Sequence, residues 1–204
     1  MSSSRRSRTI SWVRRSSAAL ALALASCGGS SQQLDDGVGT SRAEGNVRPI
    51  ELTLRGTGGE WIHLGDLRGK PVLLFLMATF DGVSQAALRP TSRFVRHHAG
   101  ELHVIGVAVQ PNPQPLLVPY VDALQPGFPF AYQMEGTIGE GTSALGQLEA
   151  IPTYVMLDAR GVEVDRHVGF PNTSTLDLML EKAIARGGIT EDGSPPPLIG
   201  HTPD

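Results

Sequence analysis

From position 50 the chain alternates between two patterns, a period of two and unbroken apolar runs, with Gly, Pro or Asp at most of the breaks. Ile50-Glu51-Leu52-Thr53-Leu54 alternates apolar and polar, which predicts a half-buried strand. Thr57-Gly58-Gly59 turns the chain and Trp61-Ile62-His63-Leu64 returns it, so an N-terminal β-hairpin is expected. Val72-Leu73-Leu74-Phe75-Leu76-Met77 has no polar gap and fits a strand covered on both faces. Residues 84–98 are helical in character, with Ser84 as the expected cap and a kink expected at Pro90. A second buried strand is expected over 102–109. Pro111, Pro113, Pro115 and Pro119 then predict a loop leading to a short helix near 118–124, and 142–148 predicts another short helical piece. Tyr154-Val155-Met156-Leu157 reads as a third buried strand, and Asp158-Ala159-Arg160-Gly161 as its turn. Residues 162–168 alternate as an edge strand, and 175–186 close as an amphipathic helix. A strand-helix-strand unit followed by an antiparallel hairpin and a helix implies an α/β sandwich, a mixed central sheet flanked by helices.

Outside residues 47–186 the pattern changes. Arg5, Arg6, Arg8, Arg14 and Arg15 precede an alanine-leucine run at 18–25. That run is far below the ~20 apolar residues of a spanning helix. A charged start, a short apolar run and small residues before a cut site are the marks of a signal peptide. Leu24-Ala25-Ser26-Cys27 resembles the lipobox of bacterial lipoproteins. The resemblance implies that 1–26 are removed, that Cys27 carries lipid, and that the protein is anchored to a membrane facing the periplasm. Gly28 after the lipid site, in place of Asp, implies transit to an outer membrane. Residues 27–46, rich in Gly, Ser and Gln, are expected to be a flexible tether, and 187–204, with Pro195-Pro196-Pro197, a disordered tail.

Cleavage changes the charge balance. Removing 26 of the 204 residues leaves 178, and losing five of the 17 basic residues leaves 12 against 20 acids, a net charge of −8. Such a surface argues against nucleic acid, whose phosphates call for Lys and Arg. The exported compartment permits disulfides, but Cys27 is the one cysteine in the chain. With that thiol lipidated, neither an internal disulfide nor a redox thiol is available.

Four strings, in order, resemble the thioredoxin-like superfamily and, within it, the exported TlpA-like branch of thiol-disulfide oxidoreductases. Leu67-Arg68-Gly69-Lys70-Pro71-Val72-Leu73-Leu74 is similar to the lead into that branch's first central strand. Ala78-Thr79-Phe80 stands where the branch has Ala-Thr-Trp before its active site. Ala150-Ile151-Pro152-Thr153 resembles its loop with a cis-proline, and Leu157-Asp158-Ala159-Arg160-Gly161 the hairpin between its last two strands. The resemblance covers about residues 50–186. It implies a thioredoxin-like sandwich in which Phe80, Asp81, Ile151, Pro152 and Thr153 border a groove that receives extended peptide through backbone hydrogen bonds. Two roles stay open for Pro152: lining that groove, or only fixing a tight turn. Two stay open for Phe80 as well, an exposed aromatic anchor or a buried core residue.

The chain departs from the family where the family carries Cys-x-x-Cys. Here it reads Asp81-Gly82-Val83-Ser84. Asp81 takes the place of the nucleophilic cysteine and Ser84 that of the second. Because Pro90 falls one residue later than the family's helix proline, Gln85 stays open as the other counterpart. Thiol-disulfide exchange needs a thiolate that forms a mixed disulfide, and neither a carboxylate nor a hydroxyl can do so. An Asp at a helix start is comfortable as a cap and opposite the helix dipole. A serine nucleophile needs a positioned base, and no His lies near in sequence, so no catalytic residue is expected here. His97, His98 and His103 lack the i, i+4 ligand spacing and suit a helix C-terminus, so no metal or other cofactor is expected. The sequence therefore points to a membrane-tethered module that binds a peptide or an envelope protein. Two other classes stay open, a family enzyme that draws a thiol from a partner and a non-thiol activity at Asp81.

Overall fold

A computed structural model of the protein describes residues 48–187. The leader, Cys27, the tether and the tail past Gly187 lie outside the described residues. Seven strands form one mixed sheet. β1 (Thr53–Gly56) and β2 (Trp61–His63) make the hairpin, with Thr53 opposite His63. β3 (Val72–Met77) runs parallel to β4 (His103–Ala108) and antiparallel to β6 (Thr153–Leu157). β5 (Phe130–Tyr132) lies parallel to β4 and antiparallel to β1, tying the hairpin into the sheet. β7 (Glu163–Val168) pairs with β6 at the far edge, and the order is β2-β1-β5-β4-β3-β6-β7.

All six residues of β3 are buried, as an unbroken apolar run in a central strand requires. Its alternate side chains feed two separate cores. Leu73, Phe75 and Met77 meet α1 (Gly82–His97), α2 (Gln114–Leu124) and α3 (Thr173–Gly187). Leu176, Met179, Leu180 and Ala183 of α3 recur at helical spacing on that face. Val72, Leu74 and Leu76 meet Ile50, Leu52, Leu64, Ile138 and Leu145 on the other.

The expected α/β sandwich, a mixed central sheet flanked by helices with an N-terminal hairpin, is what the chain forms, and among the described residues its α-helices lie on one face. The opposite face is covered by residues 50–52, a single 3-10 turn (Leu64–Leu67) and irregular chain over 133–148. The helical piece expected at 142–148 does not form. Gly136, Gly141 and Gly146 hold φ of 73°, 74° and 67°, a left-handed conformation that helical backbone cannot contain. Other features of the pattern shift as well. α1 begins at Gly82 with Asp81, not Ser84, as its cap, and it continues through Pro90. α2 begins earlier than expected, because prolines in a first turn need no intrahelical N–H partner. β5, at three residues, was not anticipated at all.

One polar contact joins the end of α1 to α3. The His98 ring bonds Glu101 Oε2 and Asp177 Oδ1, both at 3.0 Å, packs tilted against Phe94 at 4.7 Å and meets His97 edge-on. Burial acts to lower the His98 pKa, but the hydrogen bonds and charges of Glu101 and Asp177 outweigh it, and the net shift is upward. A raised folded pKa stabilises fully below the unfolded value of about 6.5 and fades as pH rises through the folded one. The stability lost in His98→Leu is therefore expected to be larger at about pH 5.5 than at about pH 8.5, read as urea midpoints.

Candidate functional site

The last rung between β3 and β6 pairs Leu76 with Thr153. Beyond it the two chains run out side by side, one into residues 78–81 and the other back through Pro152 and Ile151. The topology thus brings together two segments some seventy residues apart. The Ile151-Pro152 peptide bond is cis. The Pro152 carbonyl accepts Gly169 N–H at 2.7 Å, and Thr153 Oγ1 donates to the Ala150 carbonyl at 2.6 Å. Among the described residues nothing bonds the backbone N–H or C=O of Ile151.

The turn before α1 is held from several sides. Thr79 N–H donates to Gln110 Oε1 at 2.6 Å, and Gln110 Nε2 donates back to Thr79 Oγ1 at 2.7 Å. Gln85 Nε2 closes on the Thr79 carbonyl at 2.8 Å. Asp81 Oδ2 accepts Ser84 N–H at 2.7 Å, the bond of a helix cap, worth about 1 kcal/mol in such positions. The nearby Ser84 hydroxyl and the N–H groups of Ser84 and Val83 hold the Asp81 carboxyl below the usual carboxylate range, against a smaller opposing effect of burial. Ser84 Oγ itself is fully buried and makes no hydrogen bond of normal geometry, so it acts on Asp81 as a neighbouring dipole. Of the two counterparts left open by the sequence, Ser84 is the buried one and Gln85 the exposed one.

Tyr120, from α2, has a hydroxyl that is likewise buried without a partner. Burial first, and then the Asp81 charge, push its pKa up to about 12. A carboxylate with a lowered pKa and a tyrosine with a raised one are both badly matched to proton transfer near neutral pH. What the turn does present is apolar surface. Phe80 is 71 % exposed, Val83 46 % and Phe170 53 %, and Phe170 follows the Gly169 that bonds Pro152. Among the described residues no group of three or more His, Cys, Asp or Glu is placed to hold a metal ion.

Gln110, Tyr120 and Phe170 were not singled out in the sequence. Two of them carried a signal. Gln110 is a polar residue directly ending the apolar run of β4, and Phe170 sits between Gly169 and Pro171, where a turn leaves an aromatic no core to enter.

No protein-family model matches the chain, and no curated protein matches it. Solved structures do. The exposed lipoprotein thioredoxin Etrx1 of Streptococcus pneumoniae superposes with a TM-score of 0.57 at 21 % identity, over 64 % of this chain and 98 % of that one. StoA of Bacillus subtilis gives 0.54 at 16 %, over 65 % and 97 %. A thiol:disulfide interchange protein of the thioredoxin family from Chlorobium tepidum gives 0.56 at 19 %, over 68 % and 99 %. The chain has the thioredoxin-like fold, with a seven-stranded mixed sheet. Within that fold it carries Asp81 and Ser84 at the start of the helix that follows β3.

Proposed function

We propose that the protein is a lipid-anchored, thioredoxin-fold module of the bacterial cell envelope that binds extended peptide at the turn before α1 and carries out no thiol exchange of its own. The observation that carries this reading is the exposed Phe80, on the segment that leaves β3 at the same end of the sheet as the Pro152 loop, together with an Ile151 backbone whose N–H and C=O have no partner among the described residues. A strand end with open backbone groups and an aromatic rim can add a segment of another chain, which takes its affinity from main-chain hydrogen bonds and needs no thiol. The firm hold on Thr79 by Gln110 and Gln85 keeps that rim in place before a peptide arrives, which lowers the entropy lost on binding. The client is a peptide or protein of the envelope, not nucleic acid.

Redox silence follows from Cys27 being the only cysteine and the lipid site. The lipobox-like Leu24-Ala25-Ser26-Cys27 supports the anchor, and the Streptococcus pneumoniae structure of the same fold is described as an exposed lipoprotein. Gly28 favours the outer membrane. Two measurements test these points. Insulin reduction by residues 28–204 is expected to stay at the blank rate, and any turnover contradicts the reading. Cys27→Ala is expected to move the protein out of the membrane fraction, and its retention there would remove the lipid anchor from the account.

A further inference from the structure

Between Arg96 and Arg160 the chain contains no Lys or Arg and six acids, Glu101, Asp122, Glu135, Glu140, Glu149 and Asp158. The fold gathers much of this stretch at the end of the sheet that holds the turn before α1. Glu135, Glu140 and Glu149 are exposed there, and Asp81 adds a fourth carboxylate. Three basic groups toward this end have partners of their own. Arg55, opposite Tyr132 in the pairing of β1 with β5, lies over the Trp61 ring at 4.6 Å. Arg166 forks onto Glu163 and donates to the Leu145 carbonyl, and His167 Nε2 lies 3.3 Å from the Phe170 carbonyl oxygen.

A cleft of about 440 Å³ opens at this end over β4 and β5. Gln110, Asn112, Gln114, Gln133, Met134 and Glu140 help to line it, and Glu140 is the one charged residue in its wall. The cleft begins at the turn itself, since its Gln110 holds both the N–H and the hydroxyl of Thr79. The size suits one long side chain. Gln110 and Gln133 already spend their carboxamide oxygens on Thr79, Thr137 and Ile138. The Glu140 carboxylate, with the carboxamide oxygens of Asn112 and Gln114, suits a cation, and no basic group stands in the wall to receive an anion.

Resting on the peptide-binding reading above, we propose that this cleft is a second subsite of the groove and takes a lysine or arginine side chain of the bound peptide. The strand order sets its position along that peptide. From β6, which carries the Ile151-Pro152 loop, to the cleft over β4 and β5 is two to three strand steps. At about 4.8 Å per step that is about 10–14 Å, or three to four residues of extended chain. The client is thus an extended segment with an apolar residue against Phe80 and Phe170 and a basic residue three or four positions away.

The test is a display library of random peptides of about ten residues, selected in parallel on the detergent-solubilised full-length lipoprotein and on its Glu140→Gln and Phe80→Ala variants. Wild type is expected to enrich Lys and Arg over Asp and Glu three or four positions from the apolar anchor. A selected peptide with Arg is expected to bind roughly two- to fivefold tighter than its Gln counterpart, and Glu140→Gln to remove that difference. Selected peptides with no basic preference, with an acidic one, or with the same basic preference on Glu140→Gln would overturn the cation subsite and leave peptide binding intact. Failure of wild type to select any peptide beyond those recovered on Phe80→Ala would overturn the peptide groove, and the subsite with it.

Discussion

Phe75→Ala is expected to cost about 3–5 kcal/mol of folding stability, the range for removing a fully buried aromatic ring. Phe75 is completely buried in the central strand. Its ring stacks on Tyr154 at 4.9 Å and meets Phe130 edge-on at 6.5 Å, so it touches β6 on one side and β5 on the other. Tyr154 in turn bonds Thr91 Oγ1 at 2.8 Å, and Thr91 donates to the Ala87 carbonyl at 2.7 Å inside α1. The ring therefore sits where three strands and the site helix meet, and these neighbours cannot all close on the space it leaves. Domains of this size have a total stability of about 5–15 kcal/mol, so the loss is a large share of it. The measurement is a urea unfolding curve, in which the midpoint falls with the slope unchanged. Phe80→Ala, the same chemical change at a side chain 71 % exposed, is expected to shift stability by no more than about 0.5 kcal/mol. Large and equal effects at both positions would mean that Phe80 belongs to the core and not to a binding surface.

Glu163→Ala is expected to cost about 3–5 kcal/mol through a different cause, a buried charge left alone. The Glu163 side chain is 5 % exposed and Arg166 13 %. Arg166 Nε and Nη2 donate to the two Glu163 carboxylate oxygens, each at 2.8 Å. Nη2 also donates to the Leu145 carbonyl at 2.8 Å, pinning the irregular chain that covers the second core. Without the carboxylate, the guanidinium has one carbonyl and little water. Glu163→Leu with Arg166→Leu is expected to recover most of the loss, since an apolar pair avoids desolvating two charges. A single variant as stable as wild type would show that water reaches Arg166 freely.

How much of this was legible in the sequence depended on how local each signal was. The six-residue apolar run of β3 admits few readings, and its strand and burial follow from the pattern alone. The pairing of β5 rests on three residues between Pro129 and Gln133, too short a run to show a period. The cap of α1 involved two good candidates three positions apart. Asp81 is the cap because its carboxylate reaches the Ser84 N–H, a geometry that the residue types permit but do not select. The stretch over 142–148 has helix-forming residues, and the glycines at 141 and 146 with positive φ override them. In the site, Phe80, Asp81, Ile151, Pro152 and Thr153 stood out by string and spacing, and the pairing of Leu76 with Thr153 brings their two segments to the same end of the sheet. Gln110 reaches Thr79 from 31 positions away, and Phe170 joins the rim only through the Gly169 bond to Pro152. Contacts of that kind come from topology, and no local pattern announces them.

The peptide-binding claim is tested most directly by a photoreactive residue at position 80. The full-length protein, expressed in its own cells, would carry p-benzoylphenylalanine in place of Phe80, with the same residue at the exposed Val118 of α2 as control. The account predicts light-dependent adducts at position 80 that are absent at position 118, each mapping to an extended segment of an envelope protein or peptide. No adduct at position 80, or the same adducts at both positions, would contradict it.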